Sequence, residues 1–121
     1  MKILIVEDSR FSRTKTVREL SEKGFDLIEA SDGRMGLELA REQKPDCILC
    51  DLLMPGVDGF EFLRAVKREG LDIPVIVITA DIQETTSIRV RELGAWDVVH
   101  KPPKLPELIE KIGTAAGKAS G

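Results

Sequence analysis

The sequence predicts an α/β fold: one (βα)5 domain built on a doubly wound parallel sheet. Three observations predict it. Short Ile/Val/Leu-rich runs recur five times, and a segment with helical spacing follows each of them. The runs are mostly continuous rather than alternating, as strands covered on both faces require. Breaker-rich stretches separate the segments, the densest being Met54-Pro55-Gly56-Val57-Asp58-Gly59. A chain of 121 residues is one domain's worth and buries a core without staples.

The first strand spans 2–6. A helix over 9–23 follows, with Asp8 or Ser9 as N-cap, Phe11, Thr14, Val17 and Leu20 at helical spacing, and Gly24 ending it. Residues 25–30 form the second strand. Asp32-Gly33 turns into a helix over 34–43 with Met35 and Leu39 on one face, closed by Pro45. Residues 47–49 with their flanks are the third strand, and a helix near 60–68 turns Phe62, Leu63 and Val66 inward. Pro74 opens the fourth strand at 75–78; a weakly amphipathic helix spans 84–93; 97–100 is a short fifth strand. Leu105, Leu108, Ile109 and Ile112 make the apolar stripe of a last helix, with Pro106 in its first turn. The domain is expected over 1–112. Residues 113–121, rich in Gly, Ala and Ser, read as a flexible tail or the start of a linker.

Composition narrows the function. A net charge of −3 and a pI near 5.3 give no basic excess for nucleic acid. No apolar run approaches the ~20 residues that span a bilayer. The N-terminal apolar stretch meets acids at Glu7-Asp8, too soon for a signal peptide. A cytoplasmic location without membrane attachment is the expectation. Cys47 and Cys50 have C-x-x-C spacing, but on a strand residues three apart point to opposite faces, so core packing is expected rather than a redox pair or half a zinc site.

In open α/β sheets, ligands bind beyond the carboxyl ends of the strands. Strand one ends in Glu7-Asp8, strand three in Asp51, strand four in Thr79 and strand five in Lys101. Singly, each has an ordinary explanation: Asp8 as a helix cap, Thr79 bonding backbone, Lys101 solvated, Asp58-Gly59 a turn. Together they make an acidic cup with a cation in its wall. Crowded carboxylates repel unless a cation joins them, and Mg²⁺ suits few carboxylates plus a phosphate oxygen. A carboxylate can attack a phosphoryl group, whose charge a metal, an ammonium and a hydroxyl would stabilise.

These residues resemble the receiver domain of response regulators, the CheY-like family, over roughly residues 2–112. The motifs are Ile5-Val6-Glu7-Asp8, the run from Asp51 through Met54-Pro55-Gly56 to Asp58-Gly59, Ile78-Thr79-Ala80, and Gly94-Ala95 leading to Lys101-Pro102. The resemblance implies a flavodoxin-like strand order 2-1-3-4-5, an order for which CheY itself is a standard example. It implies a two-component switch, not an enzyme beyond its own phosphorylation and dephosphorylation. Asp51 would be the phosphoacceptor. Asp8, Asp51 and the Leu53 backbone carbonyl would ligate Mg²⁺, or Mn²⁺ in its place, with Glu7 acting largely through water. Lys101 and Thr79 would bond phosphoryl oxygens, and Lys101–Pro102 would be cis. Leu53, Ala80 and Asp81 would flank the group and modulate its chemistry. The implied partners are a sensor histidine kinase or histidine phosphotransfer protein, and a downstream protein target or output domain.

Three features depart from the family pattern. Val98 stands where an aromatic switch residue is usual, and a β-branched side chain has little rotameric freedom. Lys101-Pro102-Pro103 replaces the usual Lys-Pro-Phe. Trp96, the only tryptophan, lies near the face that receivers use to meet partners; a contact role and simple packing are both open. His100 is expected to face away from the pocket because strand neighbours alternate. Rival readings are a flavodoxin-like electron carrier, disfavoured because Glu7-Asp8-Ser9-Arg10 would repel a phosphate; a dehalogenase-type phosphatase, which wants the second acid that Asp51-Leu52-Leu53 lacks; and a degenerate receiver serving as a scaffold.

Overall fold

The computed structural model describes residues 1–120, with side chains described through residue 117. In chain order the elements are β1 (Lys2–Val6), α1 (Arg10–Glu22), β2 (Asp26–Ala30), α2 (Gly33–Gln43), β3 (Cys47–Asp51), α3 (Gly59–Arg68), β4 (Val75–Thr79), α4 (Glu84–Glu92), β5 (Asp97–His100) and α5 (Leu105–Ser120). The five strands form one sheet in the order β2-β1-β3-β4-β5, all pairs parallel. Ile5 lies opposite Leu49, and Asp51 opposite Ile78, so the carboxyl ends of β1, β3 and β4 finish at one rim.

Every residue of β3 and β4 is buried, as their unbroken apolar runs require. Alternation along the strands divides the interior in two. Ile3, Ile5, Leu49, Ile76 and Val99 meet Leu20 of α1 and Leu108, Ile112 and Ala115 of α5. Leu4, Val6, Ile48, Val77 and Val98 meet Leu37, Phe62, Leu63, Val66 and Val90 from α2, α3 and α4. Cys47 belongs to the first layer and Cys50 to the second, so their sulfurs diverge and both remain free thiols.

The structure corrects three sequence expectations. Phe11 does not join the buried stripe of α1: it is 80% exposed. Nine residues separate it from buried Leu20, about two and a half turns, which puts it on the opposite face. Met35 is likewise exposed, and α2 seats itself through Gly33, Gly36, Leu37 and Ala40 instead. Gly36 makes this possible, since a Cβ there would stand 2.8 Å from the Val6 side chain. The segment expected to be a flexible tail is helical through Ser120, with Ala115 and Ala116 buried. Alanine is the best helix former, and Ala115 continues the face of Leu108 and Ile112. Residue 121 lies outside the described residues.

The helix termini follow local chemistry. Ser9, rather than Asp8, caps α1 by accepting the Ser12 N–H. Gly24, with φ of 93°, supplies the left-handed turn after α1. Asp32 and Asp58 cap α2 and α3. On the far side of the sheet, Asp97 accepts from Arg91 of α4 at 2.9 Å and from Lys111 of α5 at 2.7 Å, clamping both helices to β5. Arg89 lies over the Phe60 ring, 4.3 Å from its centroid, and tethers α4 to α3.

Candidate functional site

The rim at the carboxyl ends of β1, β3, β4 and β5 gathers the polar groups that the sequence placed at strand ends. Glu7 and Asp51 are buried, 5% and 9% exposed, while Asp8 is exposed. One carboxylate oxygen from each of Glu7, Asp8 and Asp51 lies within 4.8 Å of the others, so the three could hold a metal ion together. All donors are hard oxygens, the set that Mg²⁺ and Ca²⁺ prefer over softer metals. Because Ser9 takes the capping role, Asp8 is left at the mouth of this cluster.

Lys101 closes the cup from β5. Its Nζ donates to Glu7 Oε1 at 2.6 Å and sits 3.3 Å from Asp51 Oδ1. Burial works against the ammonium charge, but the Glu7 hydrogen bond and the Asp51 and Glu7 charges outweigh it and raise the Lys101 pKa. The Lys101–Pro102 peptide is cis.

Backbone groups fix the acids. Asp51 Oδ1 accepts the Leu52 N–H at 2.9 Å, and Glu7 Oε2 accepts the Ser9 N–H at 3.2 Å. Thr79, 2% exposed, ends β4 one step beyond Ile78, the register partner of Asp51. Its Oγ1 accepts the Asp81 N–H at 3.1 Å. The structure thus gathers Glu7, Asp8, Asp51, Thr79 and Lys101 at one rim. Leu53 projects an exposed side chain beside it, Ala80 is exposed, and Asp81 is bonded back into α4. Val98 is buried in the layer beneath α4, 8% exposed. Trp96 is partly buried against the α1–α5 layer, and His100 is exposed.

Sequence reading missed several supports. Arg13 donates from Nη1 to the Glu7 carbonyl at 2.7 Å and from Nε to Glu29, pinning α1 to the rim. Gly59 approaches the end of β3 so closely that a Cβ would lie 2.7 Å from the Asp51 carbonyl oxygen and the Leu52 Cα. Asp58 and Glu61 have the spacing of a capping box, which could have flagged α3's start as more than a turn. No pattern in Arg13 signals its role, because an arginine on an exposed helix is ordinary.

A cavity of about 320 Å³ adjoins the cup between α1 and the loop Lys101-Pro102-Pro103, floored by Ile5, Leu49 and Ile78. Phe11 and Lys15 stand on its α1 side. Among the described residues no helix is long and apolar enough to cross a membrane.

Comparison with known proteins agrees with this architecture. Residues 3–113 match the family model of the response regulator receiver domain. The chain is 37% identical to protein PilH of Pseudomonas aeruginosa over 113 residues, covering 92% of this chain and 93% of PilH. It is 35% identical to response regulator MprA of Mycolicibacterium vanbaalenii over 93% of its own length, yet spans only about half, 48%, of that protein. Among solved structures, the Francisella response regulator 1452 receiver domain superposes with a TM-score of 0.92 at 26% identity, covering 97% of each chain. The Vibrio cholerae chemotaxis protein CheY4 gives 0.88 at 28% identity, covering 94% of this chain and 97% of its own. With a family match over nearly its whole length and a relative of its own size at this identity, the chain belongs to the response regulator receiver domain family of two-component signalling.

Proposed function

We propose that this receiver accepts a phosphoryl group on Asp51 in a Mg²⁺-dependent reaction and changes its affinity for a protein partner as a result. The observation that supports it most is the placement of Lys101 against both Glu7 and Asp51, opposite the acid cluster completed by Asp8. A cation-bearing wall facing a nucleophilic carboxylate is what a transferring phosphoryl group requires.

Asp51 Oδ1 is engaged by the Leu52 N–H and Lys101, which leaves Oδ2 to attack. The donor is a phosphohistidine of a sensor kinase or phosphotransfer protein, and small acyl phosphates substitute for it. The new bond joins Oδ2 to phosphorus; the bond from phosphorus to imidazole nitrogen, or to the acyl oxygen, breaks, and the imidazole or carboxylate leaves. Lys101 and the Thr79 hydroxyl then bond phosphoryl oxygens. Glu7, Asp8, Asp51 and the Leu53 carbonyl are the groups that would hold Mg²⁺, or Mn²⁺, which supplies charge neutralisation at the phosphoryl oxygens. Leu53, Ala80 and Asp81 flank the group and tune its hydrolysis. The chain acts as a regulatory phosphoacceptor in the cytoplasm, without nucleic-acid or membrane binding of its own. Trp96 stays a candidate for the partner face.

The added charge of roughly −1.5 to −2 biases the loops at the rim toward a second arrangement. The test is intact-mass spectrometry after acetyl phosphate treatment with and without Mg²⁺. Wild type gains one phosphoryl group only with the metal, and Asp51→Asn gains none. Equal incorporation in both proteins moves the site elsewhere, and none in either favours a scaffold.

A further inference from the structure

We infer that Asp81 and Thr86 are positioning residues that relay the state of Thr79 into α4. The inference rests on the phosphorylation of Asp51 proposed above.

Three hydrogen bonds run in series from the strand end into the helix. The Asp81 N–H donates to Thr79 Oγ1 at 3.1 Å. Asp81 Oδ1 accepts the Gln83 N–H at 2.9 Å, and Asp81 Oδ2 accepts the Thr86 hydroxyl at 2.7 Å. Thr79 therefore uses its oxygen as an acceptor and keeps its proton for another group. A phosphoryl on Asp51 offers strong acceptor oxygens on the neighbouring strand. When the Thr79 hydroxyl moves toward them, it draws away from the Asp81 N–H. The loop then follows or the bond breaks. Asp81 grips the first turn of α4 at two points, so the loop cannot follow without moving that turn.

The helix at the end of this chain is the one able to respond. Val90 is the only residue of α4 that is buried, and its N-cap Gln83 makes no side-chain capping bond. Asp81 supplies the anchoring instead, with its negative charge beside the helix N-terminus. The Thr86 hydroxyl and the Gln83 N–H keep its carboxyl below the usual carboxylate range, so the grip persists at neutral pH. The route through β5 is less suited, because Val98 is β-branched with little rotameric freedom and is packed in the core.

Hydrogen–deuterium exchange of the full chain tests the relay, read on peptides covering 84–92 with Mg²⁺, before and after acetyl phosphate. Intact mass is measured on the same samples. Wild type changes exchange in α4 on phosphorylation. Thr86→Val takes up the phosphoryl group as wild type does, but its phosphorylation-dependent change in α4 is smaller by about fivefold, the factor set by one net hydrogen bond. Thr86→Ala, with no branch to repack, behaves the same way, and Thr86→Ser restores the response. A wild-type-sized response in both severed variants overturns the relay, because a residue that merely caps the helix would shift the resting exchange alone. Incorporation into wild type with no change at 84–92 also overturns it. No incorporation into wild type overturns the phosphoacceptor reading and the relay with it, and the intact mass separates that outcome from failure of the relay alone.

Discussion

Lys101 sets its ammonium 2.6 Å from Glu7 Oε1, although 94 positions separate the two residues in the chain. The same ammonium lies 3.3 Å from Asp51, so one cation balances two buried acids. Replacing Lys101 by Met removes that balance and the positive charge beside Asp51. Phosphorylation by acetyl phosphate is expected to slow by about 10²-fold, the usual loss for one transition-state donor. Time-resolved intact-mass measurements check it.

Metal binding should stabilise the fold through the acid cluster. At tenfold the dissociation constant, Mg²⁺ adds about 1.4 kcal/mol by mass action. Asp8→Asn leaves Glu7 and Asp51 in place but removes one of the three clustered carboxylates. Thermal denaturation with and without Mg²⁺ should show a shift in wild type that is largely lost in the variant.

Gly59 predicts a steric effect on the end of β3. A methyl group there would press on the Asp51 carbonyl and the Leu52 Cα, both of them backbone. Gly59→Ala is expected to destabilise by about 1–3 kcal/mol, the range for overpacking, and to slow phosphorylation by displacing Asp51. Urea denaturation and the same mass assay measure the two effects.

The Asp97 clamp predicts a pH dependence. Burial opposes the carboxylate, but Lys111, the Val98 N–H and Arg91 outweigh it and hold the Asp97 carboxyl below its ordinary value of 3.8. A lowered folded pKa contributes stability that is present above 3.8 and is lost as pH falls through the folded value. Asp97→Asn should therefore be less stable than wild type near neutrality, by up to about 1 kcal/mol for partly exposed pairs. The two stabilities should converge in acid. Denaturation midpoints from neutral pH down to pH 2 would reveal the convergence or its absence.

Neither thiol should react in the folded protein. Burial pushes Cys47 up to about 12 and raises Cys50 well above the ordinary thiol range, helped in the second case by Asp51 and Glu7. A thiol reagent should label both cysteines only after denaturant is added, and rapid labelling of the native protein would contradict their placement.

Much of this was legible in the sequence, for identifiable reasons. The unbroken apolar runs of β3 and β4 gave the parallel sheet, and the strand-end rule gave Glu7, Asp8, Asp51, Thr79 and Lys101 one rim. Spacing alone grouped Phe11 with Leu20 and Met35 with Leu39, whereas helix phase leaves Phe11 and Met35 exposed. The helix beyond Ile112 was missed because Gly113 and Gly117 lower local propensity, yet the burial of Ala115 and Ala116 carries the segment on. Gly59, Arg13 and Thr86 were hidden for another reason: their roles depend on what lies across from them in space, and nothing local marks that.

The glycines that seat the helices bear on how the rim responds to charge. Gly36 brings α2 hard against Val6, the residue before Glu7, and Gly59 brings α3 hard against the residues at and after Asp51. Walls held at contact distance cannot spread to relieve mutual repulsion among the acids. Charge gained at this end of the sheet is then expected to be met by a bound cation or by the Lys101 ammonium rather than by separation of the acid-bearing strands.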